Sequence, residues 1–378
     1  MVLFNWRSVL STNAGGAEIH LYEIFNRIAG ENQICLVASC DNGQTTSREL
    51  RVGKLYVAHV TSHEFLYPLF SMKFLPKFLR GKFDVIVEDI SKVPIVWPLL
   101  ASKLLSIPFI IIIHHVHGKT LFEELPSILA HVVYVYELAM LKLYAFCKPY
   151  VVTVSESTKC ELKTIGFEEG KIWIIYNATA QSPIATSNVE SSDPLIAYVG
   201  RVKRYKRLDH LLKAVKEVPS ANLIIAGKGD SDVYDRLRTL AMELQINARV
   251  QLVGEVSEEE KWSILQKAWV CVATSMKEGF GISVLEAQSF GVPVIAYDVP
   301  GLNESVKDLR SGILVRDGDI AGLTKAITLL VNDRVLREKL SRGARRYAGS
   351  FSWDKSAYQF SLLLNQIAKV NNAKVHRR

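Results

Sequence analysis

The sequence predicts an α/β chain built from two doubly wound parallel-sheet domains in tandem. Three observations predict it. Short β-branched runs alternate with helical patterns nearly throughout, and continuous apolar strands between helices imply a parallel sheet covered on both faces. One polar stretch, Ala180 to Asp193 (AQSPIATSNVESSD), has the composition of a linker, and the same alternation restarts behind it. The chain has 378 residues, long enough for two domains of roughly 100–200 residues each. Apolar residues make up 49% and charged residues 22%, the balance of a globular chain.

In the first half the apolar runs Val2–Asn5, Ile34–Ser39, Leu55–His59, Val85–Glu88, Phe109–His114, Val151–Ser155 and Ile172–Tyr176 read as strands. Helical patterns lie between them at Ala17–Ala29, Ile95–Leu105, Ile128–Cys147 and Glu156–Thr164. The longest apolar run, Val93 to Ile113, is broken by Pro94, Pro98, Lys103 and Pro108. It therefore reads as strand–helix–strand and not as a membrane span. After the linker the expected strands are Leu195–Val199, Asn222–Ala226, Val250–Val253, Val270–Thr274, Val294–Tyr297 and Ile313–Val315. The helices are Leu208–Glu217, Ser231–Leu244, Glu258–Ala268, Ile282–Phe290, Ile320–Val331, Asp333–Ser350 and a last one from about Trp353 to Ala368. The expected boundaries are 1–185 for the first Rossmann-like domain, 193–350 for the second, and 351–378 for a terminal helix and basic tail. Ligands of such sheets bind outside the carboxyl ends of the strands, so with two domains the site is expected in the cleft between them.

The most informative stretch is Thr274 to Asp298, TSMKEGFGISVLEAQSFGVPVIAYD. Gly279, Phe280 and Gly281 form a loop that opens directly into a helix, and Gly291 with Pro293 closes that helix. The first turn of a helix leaves backbone N–H groups unpaired, and these attract anions. Glu278 stands on the loop and Glu286 a turn or so inside the helix; the plainer alternative is one loop glutamate and one solvated helix glutamate. Gly200, Arg201 and Lys206 follow the first strand of the second domain. Arg201 can hold a phosphate with its planar fork and Lys206 adds a point charge, the alternative being a solvated basic loop leading to a helix capped near Asp209.

Weaker signals stand at other strand ends. Gly15 and Gly16, in NAGGAE, form a turn whose amides can face the cleft, but neither they nor AGKGD at Ala226–Asp230 have the GxGxxG spacing of a dinucleotide site. His114, His115 and His117 close the run PFIIIIHHVHG. They fit a metal, a base or a hydrogen-bonding role, although adjacent His114 and His115 point to opposite faces if the strand continues. Ser155, Ser157 and Asn177 sit at further strand ends, and no GxSxG elbow accompanies the serines.

Taken together, GGAE at Gly15–Glu18, HHVHG at His114–Gly118, VSES at Val154–Ser157, GR with Lys206, AGKGD, EGFG with Glu286, and GVPVIA at Gly291–Ala296 resemble the retaining glycosyltransferases of family 4. The resemblance runs in order over nearly the whole chain, and EGFG…E with GR…K is its specific part. NWR…GGAE with HHVHG resembles a subgroup common in bacteria and archaea. The resemblance implies the GT-B architecture, with the last helix crossing back to the first domain. It implies that Arg201 and Lys206 neutralise the donor diphosphate, with amides of Phe280, Gly281 and Gly16 near the phosphates. Glu286 would bind the ribose hydroxyls, Glu278 the donor-sugar hydroxyls, and one histidine, His114 by its place at the strand end, would lie near the sugar. The implied reaction moves a sugar from a nucleotide diphosphate to an acceptor hydroxyl with retention, with no metal, because Arg and Lys do a cation's work on the leaving phosphate. Two departures stand out: IIYNA replaces the usual PNGVD, and Arg207 stands where Gly often follows the lysine.

A nucleotide-sugar epimerase of the same fold and a non-catalytic nucleotide-sugar-binding protein remain open. The EGFG…E loop weighs against the first, and intact Glu278, Glu286, Arg201 and Lys206 weigh against the second. The expected partners are a UDP- or GDP-sugar donor and an acceptor glycan or lipid-linked sugar, with no cofactor beyond the nucleotide sugar. The formal net charge of +8 gathers in RVKRYKR at Arg201–Arg207 and in the tail with Lys374, Arg377 and Arg378, which points to an anionic ligand or surface. No helix-turn-helix, RNP or zinc-finger pattern accompanies it, so nucleic acid is not expected. Five scattered cysteines, Cys35, Cys40, Cys147, Cys160 and Cys271, and an N-terminus without signal-peptide layout lead to a cytoplasmic expectation. Peripheral contact with the inner face of the cell membrane is expected from His63–Phe83, which mixes aromatics with Lys73, Lys77, Arg80 and Lys82, and from Ile128–Cys147, apolar on more than one face. The alternative is that both segments pack inside the first domain.

Overall fold

Strands and helices alternate along the chain as the apolar pattern implies, and they assemble into two sheets. The computed structural model describes residues 1–30, 32–39, 49–62, 66–76, 80, 83–90, 94–179 and 190–375. The chain divides into two compact units. One comprises Met1–His117, Val133–Asn177 and the chain from Ser352 onward, and the other comprises Gly118–Val132 and Ala178–Phe351.

The first unit contains β1 (Val2–Arg7), β2 (Cys35–Ser39), β3 (Glu49–Val52), β4 (Leu55–Thr61), β5 (Ile86–Asp89), β6 (Phe109–Ile113), β7 (Tyr150–Thr153) and β8 (Ile172–Ile174). They lie in the order β3-β4-β2-β1-β5-β6-β7-β8. Starting at β1 the chain steps outward through β2 to β4, then returns to the other side of β1 with β5. That reversal opens a crevice at the carboxyl ends of β1 and β5. The β6 run FIIII is buried along its whole length, as a strand covered on both faces must be. Phe4, Val37, Ile111 and Tyr144 belong to the core beneath.

One strand departs from the all-parallel expectation. β3 pairs antiparallel with β4, from Val52↔Leu55 to Glu49↔Ala58. The two join through Gly53 and Lys54, whose backbone N–H donates to Asn26 Oδ1 at 2.8 Å. The sequence ELRV is too short and too charged to read as a strand; a tight hairpin against β4 creates it. Three one-turn helices, Tyr67–Phe70, Leu121–Glu124 and Leu302–Ser305, likewise carry too little periodicity to be read.

The second unit holds β9 (Leu195–Val199), β10 (Asn222–Ala226), β11 (Val250–Gly254), β12 (Val270–Ala273), β13 (Val294–Tyr297) and β14 (Gly312–Val315), all parallel, in the order β11-β10-β9-β12-β13-β14. Its reversal lies between β9 and β12. The linker's residues 180–189 lie outside the described residues. Glu190 pairs with Arg337 at 3.0 Å, and Ser191 N–H donates to Lys267 O at 3.1 Å, so the chain is already tied to this unit there.

The last helix, Trp353–Val375, crosses back to the first unit. Arg27 Nε donates to Asp354 Oδ1 at 2.7 Å, Ser356 Oγ donates to Tyr176 O at 2.7 Å, and the Phe25 and Phe360 rings meet edge to face at 4.7 Å. The basic tail Arg377–Arg378 lies outside the described residues, as do His63–Phe65, Lys77 and Lys82 of the aromatic stretch and Cys40. Within that stretch Tyr67 and Phe74 are buried while Leu66, Leu69 and Met72 are exposed.

Helix Ser127–Cys147 is, among the described residues, the one helix long and apolar enough to cross a membrane, yet it packs along one side only. Ala130, Met140, Leu141, Tyr144 and Ala145 are buried, while Ile128, Val132, Val135 and Phe146 are 84%, 61%, 63% and 84% exposed. A helix anchored by one stripe in a core lies along its surface.

Candidate active site

In the second unit, three loops meet at the reversal between β9 and β12. The first leaves β9 through Gly200 and Arg201 and turns in a short 3-10 segment, Arg204–Lys206. The second leaves β12 through Thr274 and Ser275 and carries Glu278 to Gly281 into helix Ile282–Ser289. The third follows β13 and ends in Gly301. A Cβ at Gly301 would stand 2.2 Å from Glu278 O, so only glycine lets the third loop support the second this closely; Glu278 N–H also donates to Pro300 O at 3.1 Å. Gly281 caps the helix at φ +81°, in the left-handed region, which turns the chain so that the helix N-terminus opens on this spot.

Lys206 and Glu278, 72 residues apart, form an ion pair here with side chains 11% and 17% exposed. Ser275 Oγ donates to the same Glu278 oxygen at 2.6 Å. Burial works against the charge on Lys206, but the Glu278 carboxylate outweighs it and holds the ammonium well above its ordinary range. Tyr198, Lys206, Ser275, Glu278, Gly281 and Ser283 line one small cavity. The Tyr198 hydroxyl donates to Arg201 O at 2.7 Å, which sets the path of the loop that carries Arg201.

Four cations of RVKRYKR pair with carboxylates: Lys203 with Asp230, Arg204 with Asp232, Lys206 with Glu278 and Arg207 with Asp317. The Lys206–Glu278 pair is nearly buried, and the other three lie partly in solvent. Arg207 also donates to Thr274 O at 3.1 Å and Ser275 O at 3.2 Å, fastening the β9 loop to the β12 loop. It sits at φ +50°, in the left-handed region that glycine enters most easily, so the arginine is held in a conformation that suits glycine better. Arg207, and not Asp209, is the residue that precedes helix Leu208–Lys216.

Glu286 lies one turn inside its helix and pairs with Lys261 at 2.9 Å; Lys261 also holds Glu258 at 2.8 Å. Burial pushes the Glu286 carboxyl up, and Lys261 offsets that only in part. The Phe280 side chain is buried and meets Phe351 edge to face at 5.2 Å, so the ring is part of the core.

In the first unit the residues singled out gather at the ends of β1, β5 and β6. Gly15 precedes helix Gly16–Ile28 and its N–H donates to Glu18 Oε2 at 2.8 Å; Gly16 is the first residue of the helix. His114 directly follows β6, and its Nε2 stands 3.2 Å from Asp89. His20 is fully buried, edge-on to His114 at 5.0 Å between ring centres, with its Nδ1 2.6 Å from Asn177 Oδ1. Burial, with His114 beside it, lowers the His20 imidazole to about 3. The three histidines of the cluster do not converge. His117 turns to Glu137, whose Oε1 lies 2.8 Å from the His117 N–H and 3.0 Å from Nδ1. Among the described residues no group of three metal-binding side chains stands together. Ser155 caps helix Glu156–Ile165, accepting from Thr158 N–H at 3.1 Å.

Asp89 and His20 were not legible as site residues. Their partners lie 25 and 157 residues away, and neither stands in a spaced motif. The one available sign was Asp89 at the carboxyl end of a predicted strand, where ligands of such sheets bind.

Two doubly wound parallel-sheet units in one chain are the architecture of the GT-B fold. Two family models match the chain in succession, Glycosyltransferase Family 4 over residues 14–180 and Glycosyl transferases group 1 over residues 183–347. The chain belongs to these glycosyltransferases. A D-inositol 3-phosphate glycosyltransferase of Nocardia farcinica is 33% identical over 174 residues, 44% of this chain and 39% of the relative. A poly(glycerol-phosphate) alpha-glucosyltransferase of Bacillus subtilis is 32% identical over 191 residues, 49% of this chain and 28% of the relative. The matches thus span well under half the length of these relatives. Among solved structures, a sucrose-phosphate synthase from Thermosynechococcus elongatus has a TM-score of 0.81 at 21% identity, covering 98% of this chain and 99% of that one. HepE of Anabaena, in complex with UDP and glucose, has a TM-score of 0.77 at 18% identity, covering 97% and 99%.

Proposed function

We propose that the chain is a retaining, metal-independent glycosyltransferase that moves a sugar from a UDP- or GDP-sugar to an acceptor hydroxyl. The observation that carries this reading is the Lys206–Glu278 pair at the N-terminus of helix Ile282–Ser289. A cation for the leaving diphosphate and a carboxylate for sugar hydroxyls stand side by side where backbone amides face an anion. Arg201 and Lys206 bind the diphosphate together with the amides of Phe280, Gly281 and Gly16, and Glu286 accepts from the ribose hydroxyls. Glu278 and His114 bind the sugar. When the donor enters, Lys206 exchanges part of its contact with Glu278 for a phosphate oxygen. The bond from C1 to the diphosphate oxygen then breaks, the acceptor oxygen bonds to C1 on the same face, and the acceptor proton passes to the departing phosphate. Incubation with a panel of labelled UDP- and GDP-sugars tests this. Transfer to an acceptor or to water is expected; isomerisation without transfer would make the protein an epimerase, and binding without turnover a sugar-nucleotide sensor.

The acceptor we propose is a lipid-linked or cell-surface glycan, reached by a cytoplasmic enzyme resting on the inner membrane face. The outward stripe of Ser127–Cys147 supports this. Its exposed charged neighbours Lys142 and Lys148 are cations, and the helix's one acid, Glu137, turns inward to His117. An apolar stripe beside lysines suits an anionic bilayer, at about 1 kcal/mol per cation near the surface. Flotation with phosphatidylglycerol vesicles at low salt is expected, and failure to float contradicts the membrane acceptor.

A further inference from the structure

We propose that Asp89 is a positioning residue for His114: its carboxylate holds Nε2 of the ring, so that Nδ1 is the nitrogen left to meet a ligand, as an N–H donor when the ring is protonated. This rests on the reading that a nucleotide sugar binds beside His114. Asp89 ends β5 and His114 follows β6, and these strands are adjacent and in register, with Asp89 opposite Ile112. Both carboxylate oxygens stand 3.2 Å from Nε2. The Asp89 side chain is 2% exposed, so water does not compete for it. The backbone of His114 is fixed as well, its carbonyl accepting from Thr158 Oγ1 at 3.4 Å. No described residue bonds Nδ1, and the 12% of the side chain that is exposed leaves the ring a way to a ligand.

The charges around the ring agree with this geometry. Asp89 from β5, and Glu18 and His20 from helix Gly16–Ile28, are the titratable groups that face it. Burial disfavours the imidazolium, but the Asp89 carboxylate, with Glu18 behind it, outweighs burial and raises the His114 imidazole above its ordinary value. His20 is held neutral, so it places no second positive charge against His114. The result is a ring whose protonated form is favoured, with Nε2 occupied and Nδ1 left toward the ligand.

Asp89→Asn keeps the size of the side chain and removes its charge. The expected result is a kcat about 100-fold lower from a misplaced donor, a KM for the nucleotide sugar close to that of the wild type, and an alkaline limb of the rate profile moved to lower pH. A purely structural aspartate would lower the folded fraction and leave that limb in place, and an unmoved limb overturns the positioning role. Full activity in His114→Ala overturns the reading on which it rests, a separate outcome. Ring titration by NMR serves as the second measurement, because it needs no substrate and no variant. In the wild type a His114 midpoint above the usual imidazole value is expected, and one at or below that value overturns the proposal.

Discussion

At the residue scale, two carboxylates of the second unit hold cations, Glu278 with Lys206 and Glu286 with Lys261. Lys206→Ala leaves Glu278 nearly buried with only Ser275 as partner, and breaking one side of such a pair costs about 3 kcal/mol. Thermal unfolding should therefore show a lowered Tm for Lys206→Ala and recovery in the double variant Lys206→Met/Glu278→Gln, which removes both charges. A single variant as stable as the wild type would show the pair to be solvated. Glu286→Ala should weaken nucleotide-sugar binding by roughly 1.5–3 kcal/mol, the worth of a hydrogen bond to a charged acceptor. Calorimetry reads this directly, and unchanged affinity would remove Glu286 from the ribose site. Glu278, Glu286, Arg201 and Lys206 stand out in the sequence as candidates because short motifs at strand ends carry them. That Lys206 meets Glu278 and Glu286 meets Lys261 was not legible, since both pairings cross between elements.

At the element scale, buried Glu88 joins three pieces of the first unit. It lies on β5, accepts from Ile95 N–H at 2.6 Å at the start of helix Val96–Leu105, and accepts from the Tyr144 hydroxyl of Ser127–Cys147 at 2.7 Å. Burial pushes its carboxyl up to about 8. The folded protein therefore keeps a proton that the unfolded chain releases near 4.5, so stability falls as pH rises from there to about 8. Glu88→Gln, which can keep both contacts without a charge, should match the wild type in Tm at pH 5 and exceed it at pH 8. Equal values at both pH values would mean that Glu88 is already ionised in the fold. On the outer side of the same helix, Leu143→Ser with Phe146→Ser should abolish vesicle flotation while leaving turnover of a soluble acceptor intact. Flotation that survives both changes would move the docking surface elsewhere. The apolar content of this helix was legible, but which side faces the core was not, because apolar residues occupy both of its stripes.

At the scale of the whole molecule, the two parallel sheets were legible because strand and helix periods alternate cleanly over most of the chain, whereas the return of the terminal helix to the first unit was implied only by the family resemblance. Antiparallel β3 was hidden because a hairpin, and not its own pattern, makes it a strand. The assignment of Gly118–Val132 to the second unit was hidden as well, since its contacts, such as Tyr205 N–H donating to Glu124 at 3.3 Å, join residues 81 apart. The central claim is that side-chain cations and backbone amides, and no metal, stabilise the leaving diphosphate. The most direct test is the sugar-transfer rate in excess EDTA, for the wild type and for Arg201→Ala and Lys206→Ala. The account predicts an undiminished wild-type rate, with each variant slower on the order of 100-fold; abolition of wild-type transfer by the chelator and its restoration by a divalent ion, or full activity in both variants, would contradict it.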